Sequence, residues 1–149
     1  MISIALILLG GLVTQSSAQP ARLQYAVKFV CGVAEGQVAV PGNYRTAINV
    51  HNPSYEKVTF RYKIAVSRPG FTSGPITKMG STGLQPDAAF EIDCHDIWKL
   101  TNTRGGPWHK GFLVIETDRR LDVIGVYTAA GRDQFVTTMD IERVEPTVR

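Results

Sequence analysis

The chain reads as an all-β protein, a two-sheet antiparallel β-sandwich of about seven to eight strands with one short helix near residues 95–100. Three observations carry that prediction. Apolar residues recur at every second position in several runs, which is the period of a strand with one covered face. These runs are short and are broken at regular spacing by Gly, Pro, Asn and Asp, the punctuation of a sandwich. No long stretch repeats its apolar residues at helical spacing.

The first segment is expected to lie outside the fold. In "MISIALILLGGLVTQSSAQP" an apolar run, Ile2 to Val13, leads to Ser16-Ser17-Ala18, with small residues where a signal peptidase cuts. The run is too short to span a bilayer as an anchor. No Lys or Arg precedes it, so the terminal amine supplies the only positive charge there. Residues 1–18 are therefore predicted to be a signal peptide, and 19–149 a single β-sandwich domain. The expected location is secreted or periplasmic, with nothing spanning the membrane once the signal is removed.

"LQYAVKFVCGV" (Leu23–Val33) sets Tyr25, Val27, Phe29, Cys31 and Val33 on one face. "YRTAINV" (Tyr44–Val50) follows the turn Pro41-Gly42-Asn43. Its phase points Thr46, Ile48 and Val50 inward, and Ala47, Asn49 and His51 outward. Pro53 disfavours helix at Asn52 and ends that strand. The clearest alternation is "VTFRYKIAVS" (Val58–Ser67), with Val58, Phe60, Tyr62, Ile64 and Val66 on one face and Thr59, Arg61, Lys63, Ala65 and Ser67 on the other. A weaker strand is read through "PITKMGSTGL". "AAFEIDC" (Ala88–Cys94) places Phe90, Ile92 and Cys94 together, with Glu91 and Asp93 on its wet face. "CHDIWKL" (Cys94–Leu100) is the helical candidate, with Asp96 as its cap. "GFLVIET" (Gly111–Thr117) is apolar on both faces and reads as a central, covered strand. "LDVIGVYTAA" (Leu121–Ala130) and "FVTTMDIERV" (Phe135–Val144) complete the set, and the tail "EPTVR" is expected to be mobile.

Two cysteines, Cys31 and Cys94, in a chain with an export signal predict one disulfide. It would close a loop of about 60 residues and contribute about 4 kcal/mol by the chain-entropy model. The net charge of +3 is mild and is no signature of nucleic-acid binding, so no nucleic-acid partner is expected.

Catalytic chemistry is sparsely represented. The three histidines, His51, His95 and His109, show no H-x-H or H-E-x-x-H spacing. There is no G-x-S-x-G elbow and no phosphate-cradling glycine loop. No catalytic residue, metal site or cofactor is assigned. The alternative kept open is an extracellular enzyme or metal-binding protein that uses His51, Cys94 and His95.

Recognition is better served. The loop "TRGGPWHKGF" carries Arg104, Trp108, His109 and Lys110 around Gly105-Gly106-Pro107, a contact set of aromatic and basic residues on a projecting loop. The outer face of Val58–Ser67 offers Arg61 and Lys63 to an anionic polymer or lipid head groups, although charges on a strand also serve solubility. Asn49 and His51, side by side on their strand, are the third candidate pair.

The order of "YAVKFVCG", "PGNYRTAINVHNP", "EIDCHDI" and "GFLVIETDRRLDVIGVYTA", from Tyr25 to Val144, resembles a family of small exported bacterial proteins of unassigned activity. More distantly, the layout of the middle and end is similar to that of the sensory rhodopsin transducer family. That likeness implies a β-sandwich that assembles into homo-oligomers and acts by binding a protein or ligand. The transducers are cytoplasmic and have no signal peptide, so their photoreceptor partner is not implied, and no functional residue is transferred. The expectation is an exported, non-catalytic binding or structural module whose partner is a protein or an anionic polymer.

Overall fold

The computed structural model describes residues 22–103, 107–131 and 135–149; the predicted signal peptide and Arg104 lie outside the described residues. The fold is antiparallel β, with ten strands and one helix among the described residues. The strands are β1 (Leu23–Ala34), β2 (Gly42–His51), β3 (Val58–Ser67), β4 (Ser73–Ile76), β5 (Gly80–Leu84), β6 (Ala89–Asp93), β7 (His109–Thr117), β8 (Asp122–Ala130), β9 (Val136–Arg143) and β10 (Thr147–Val148). The helix, α1, is Cys94–Leu100, between β6 and β7.

The strands form two facing layers. In the front layer β7 lies between β3 and β1, with β4 and β5 on the far edge of β3 and β10 on the far edge of β1. In the back layer β2 lies between β6 and β8, and β9 follows β8. The layers are not two separate sheets, because one hydrogen-bonded ladder runs through both. β1 pairs with β7 up to Cys31, then with β2 over Gly32–Ala34. The transfer happens at Gly32, whose φ of 99° is a conformation that L side chains rarely adopt. It also breaks the alternation. Val33, expected inward, is 53% exposed, and Ala34 is buried in its place.

Extra strands account for the count above seven or eight. "PITKMGSTGL" falls into two short strands on one side of β3, since the chain pairs first near Ser67 and again near Tyr62. The tail, expected to be mobile, is tied down: Thr147 and Val148 pair with β1, and Arg22 and Arg149 exchange backbone hydrogen bonds of 3.1 and 2.8 Å.

The core fills from both layers. Tyr25, Val27, Phe29, Phe60, Ile64, Leu113 and Ile115 come from the front, and Ile48, Val50, Ile92 and Val123 from the back. Phe60 and Phe90 meet edge to face across the layers, with ring centroids 6.0 Å apart. Gly111 is demanded by close approach: a Cβ there would run into the Ala65 carbonyl oxygen and meet the Phe29 ring at 2.9 Å.

Polar ties between the layers sit inside this core. The Cys31–Cys94 disulfide joins β1 to the start of α1. The Thr46 hydroxyl donates to the Val30 carbonyl and accepts from the Val30 N–H, both at 3.0 Å, bridging β2 to β1 below the point where they pair. The buried Tyr25 hydroxyl donates to the Leu121 carbonyl at 3.0 Å and accepts from its N–H at 2.9 Å. Burial, partly opposed by the Leu121 hydrogen bond, pushes this phenol above its ordinary pKa.

The helix cap differs from expectation by three residues. Asp93 is the N-cap, its carboxylate accepting from the Asp96 N–H at 3.0 Å, while the Asp96 carboxylate reaches back to the Asp93 N–H. The cap assigned to Asp96 is thus the far half of a capping box.

Candidate functional site

The outward residues of the front layer gather the chain's positive charge. On β3 these are Thr59, Arg61, Lys63 and Ala65; on β7, Lys110, Phe112, Val114 and Glu116; on β1, Gln24, Ala26, Lys28 and Val30. Register sets Arg61 beside Glu116, Lys63 beside Val114, and Lys28 beside Phe112, with Lys110 next to Val30. At the lower end a cleft of about 530 Å³ adds Arg22, Lys57 and Arg119 around Arg61. These seven basic side chains share the surface with three acids, Glu56, Glu116 and Asp118. The local excess is larger than the +3 of the whole chain, so the charge is segregated onto one face.

Ion pairs consume the lower half of this face. Arg61 donates to Glu116 at 2.6 Å, Lys63 lies 3.6 Å from the same carboxylate, and Arg119 reaches Glu56 at 2.8 Å. The upper half is different. Lys28 packs its ammonium over the Phe112 ring, 4.7 Å from the centroid, and no carboxylate is paired with it or with Lys110 among the described residues. Burial first, and the Lys110 charge second, push the Lys28 ammonium below its ordinary value. An anion placed between the two lysines would relieve that repulsion. Phe112, 39% exposed, gives the site an apolar floor. The covered central strand expected for β7 is fully covered on its inner side and partly covered on its outer side, where Val114 is buried and Phe112 is exposed.

The predicted loop set does not act as one group. His109 and Lys110 belong to β7 and point in opposite directions, His109 inward against Phe29 and Lys110 outward with Lys28. Trp108 is half-buried and meets Tyr44 edge-on, with centroids 5.2 Å apart. Asn49 and His51 do face outward on the back layer, as their phase predicts. His51 Nδ1 lies 3.2 Å from the Asp122 carboxylate, its cross-strand neighbour, and Asp122 also accepts from Arg143 at 3.2 Å.

The trio His51, Cys94 and His95 is not assembled. Cys94 is buried and bonded to Cys31, so it offers no thiolate, while His51 stands on the outer face of the back layer. Among the described residues no three His, Cys, Asp or Glu side chains come together as a metal site.

Sequence reasoning missed two features. Lys28 joins Lys63 and Lys110 only because β1, β7 and β3 pair over long sequence distances. Asn52, beside His51, is the fully buried hub of its corner. Its amide donates to the carbonyls of Glu56, Leu84 and Gln85 at 2.8, 3.2 and 3.1 Å, and its Oδ1 accepts from the Ser54 hydroxyl and N–H.

No family model matches the chain, and no curated protein matches it either. Among solved structures it is similar in fold to the crystal structure of Thermotoga maritima 1070, with a TM-score of 0.52 at 7% identity over 83% of this chain and 91% of that one. That likeness concerns the β fold alone. Among the described residues no helix is long and apolar enough to cross a membrane.

Proposed function

We propose that the protein is an exported, non-catalytic binding module of the cell envelope or extracellular space, and that its front layer takes an anionic polymer. The observation that carries this reading is Lys28, lying over Phe112 with Lys110 near it and with no carboxylate paired to either lysine among the described residues, set within a segregated basic face. A row of cations along a sheet face suits a repeating charge better than a single small anion. The leader-like N-terminus and the disulfide support export. The resemblance to sensory rhodopsin transducers, which act by binding, runs in the same direction.

The test is titration of the purified protein with long-chain polyphosphate and, separately, polygalacturonate. Both measure the common chemistry, and their difference ranks phosphate against carboxylate. Binding should weaken as salt rises, and Lys28→Glu/Lys63→Glu should lose at least about tenfold in affinity. Equal affinity for the double variant would sink the reading.

Self-association has its own support. β9 is exposed on both faces and, among the described residues, pairs only with β8, with Val136, Met139 and Ile141 each 60% exposed or more. Such an edge invites another strand. In a symmetric antiparallel β9–β9 pair, placing Met139 opposite Met139 sets Asp140 against Thr138, whereas a neighbouring register stacks Asp140 on Asp140. Light scattering should show a dimer that Ile141→Lys dissociates; a wild-type monomer at high concentration refutes it.

A further inference from the structure

Register brings four connections to the upper end of the molecule. β1 ends there at Ala34 and β2 begins at Gly42, β3 turns into β4 between Ser67 and Ser73, β7 begins at His109, and β8 and β9 meet at Ala130 and Val136. Val33, Val38, Val40, Phe71, Phe135 and Val136, all at this end, are each more than half exposed. The connections at the opposite end expose one large apolar side chain among the described residues, Tyr55, and carry the exposed charges of Glu56, Asp118, Arg119, Arg120 and Glu145. Single apolar residues scattered over a surface need no explanation, but a set collected at one end does.

Phe71 is the sharpest case. It stands in the β3–β4 hairpin turn with its whole side chain in solvent, and its φ of 59° lies in the left-handed region that a bulky residue rarely adopts. Glycine or asparagine would serve that turn better, and a fully exposed ring gains nothing from its own chain. Cations lie just behind the tips. Arg68 directly follows β3, Lys110 is the second residue of β7, and the exposed Arg45 is the fourth residue of β2. Glu35 is the only carboxylate among the described residues of these connections. Long basic side chains carry their charge outward on an apolar stem, so cations at this level can meet anionic groups while the tips meet something apolar.

Two features name the occupant. Clefts of about 420, 360 and 190 Å³ open at this end, the first lined by Pro41 and Gly131, the second by Val38 and Arg68, the third by Val38 and Trp108. The apolar side chains therefore stand on separate projections and not on one continuous surface. A fluid bilayer closes around separate projections, whereas a folded partner must fill each cleft. The second feature is charge, since cations behind apolar tips match anionic head groups. We propose that the upper end is a membrane-docking tip, which inserts Phe71, Val40 and Phe135 shallowly into an anionic lipid surface, with Arg68, Lys110 and Arg45 at the level of the phosphates. The strands then run away from the bilayer, and the front layer stays open to solvent. The inference does not rest on the polymer reading, because Phe71 and Val40 lie outside the outward residues of β1, β7 and β3.

The experiment is flotation of the purified protein with vesicles of phosphatidylglycerol and phosphatidylcholine in equal parts, and with phosphatidylcholine alone. The mixed vesicles should carry the protein with half-saturation below about 1 mM lipid, and binding to phosphatidylcholine alone should be at least about tenfold weaker. Phe71→Asn removes the ring and suits the left-handed backbone, so the fold is kept. It should weaken vesicle binding about tenfold, the change expected from withholding one buried aromatic side chain, and Val40→Ser should weaken it in the same direction. Position is read by fluorescence: Phe71→Trp should shift to the blue and be quenched by brominated lipid, while Tyr55→Trp, at the opposite end, should stay silent. No flotation up to about 1 mM lipid overturns the proposal and gives the apolar end to a protein partner. Equal binding to both vesicles, binding that Phe71→Asn and Val40→Ser both leave unchanged, or a response at Tyr55→Trp also overturns it. Phe71→Asn should leave the affinity for polyphosphate unchanged, so failure here and failure of the sheet-face reading are separately visible.

Discussion

Replacing both cysteines, Cys31→Ala/Cys94→Ala, should be the costliest pair of changes short of a core truncation. The bridge spans a sequence separation of 63 and joins the front layer to the helix that follows the back layer. The loop-closure relation gives about 14 cal/mol/K for that length, or about 4 kcal/mol at 25 °C. The native state adds little to offset the loss, because both positions are buried and small side chains leave only modest voids. In urea, with a slope of about 2 kcal/mol/M, the midpoint should fall by about 2 M, and the slope should rise because the chain freed of its cross-link unfolds to a more expanded state. The thermal midpoint should fall by about 16 °C, taking about 4 °C per kcal/mol for a domain of this size. Tryptophan fluorescence and far-UV circular dichroism should report one coincident transition. A loss under about 1 kcal/mol would refute the reasoning, since Thr46, Tyr25 and the shared β1 ladder would then be holding the layers together without the bridge.

Other outcomes follow from single residues. Asn52→Ala leaves the carbonyls of Glu56, Leu84 and Gln85 without their donor and should cost about 3 kcal/mol by urea unfolding; His51→Ala, next to it but on the surface, should cost under about 1 kcal/mol. Gly111→Ala puts a methyl against the Ala65 carbonyl and the Phe29 ring, prying β3 from β7, and should destabilise by about 2–3 kcal/mol or give insoluble protein. His109 makes stability depend on pH in a defined direction. Its folded pKa lies below 6.5, so the unfolded chain takes up the proton first; the contribution is complete above pH 6.5 and is lost as pH falls below it. Unfolding free energies of His109→Gln measured between pH 7 and pH 5 should fall less steeply than those of the wild type.

What the sequence shows depends on the range of the interaction. The strand Val58–Ser67 is legible to the residue because alternation is a local property, and its bounds agree with β3. The phase of His51 is legible for the same reason. Val33 turns outward because Gly32 takes a positive φ, and period-two alternation holds only where no residue does so. Histidine is the more conspicuous residue in His51-Asn52, yet the hub is Asn52, because two of the three carbonyls that its amide serves, Leu84 and Gln85, lie more than 30 residues away. The basic face was half visible. Arg61 and Lys63 share one strand, but Lys28 and Lys110 reach them only through the β1–β7–β3 register, which pairs residues far apart in the chain. The loop group around Trp108 dissolved because β7 begins at His109, two residues before the apolar run that marked it.

The central claim is that an anionic polymer lies on the front layer, along the outward residues of β1, β7 and β3. Backbone amide shifts of isotopically labelled protein, followed during titration with long-chain polyphosphate, test it most directly. The account predicts that the perturbed amides cluster at Lys28, Arg61, Lys63, Lys110 and Phe112 and that the back layer stays silent. Perturbations confined to β8, β9 and the outward residues of β2, or scattered without a cluster, would contradict it.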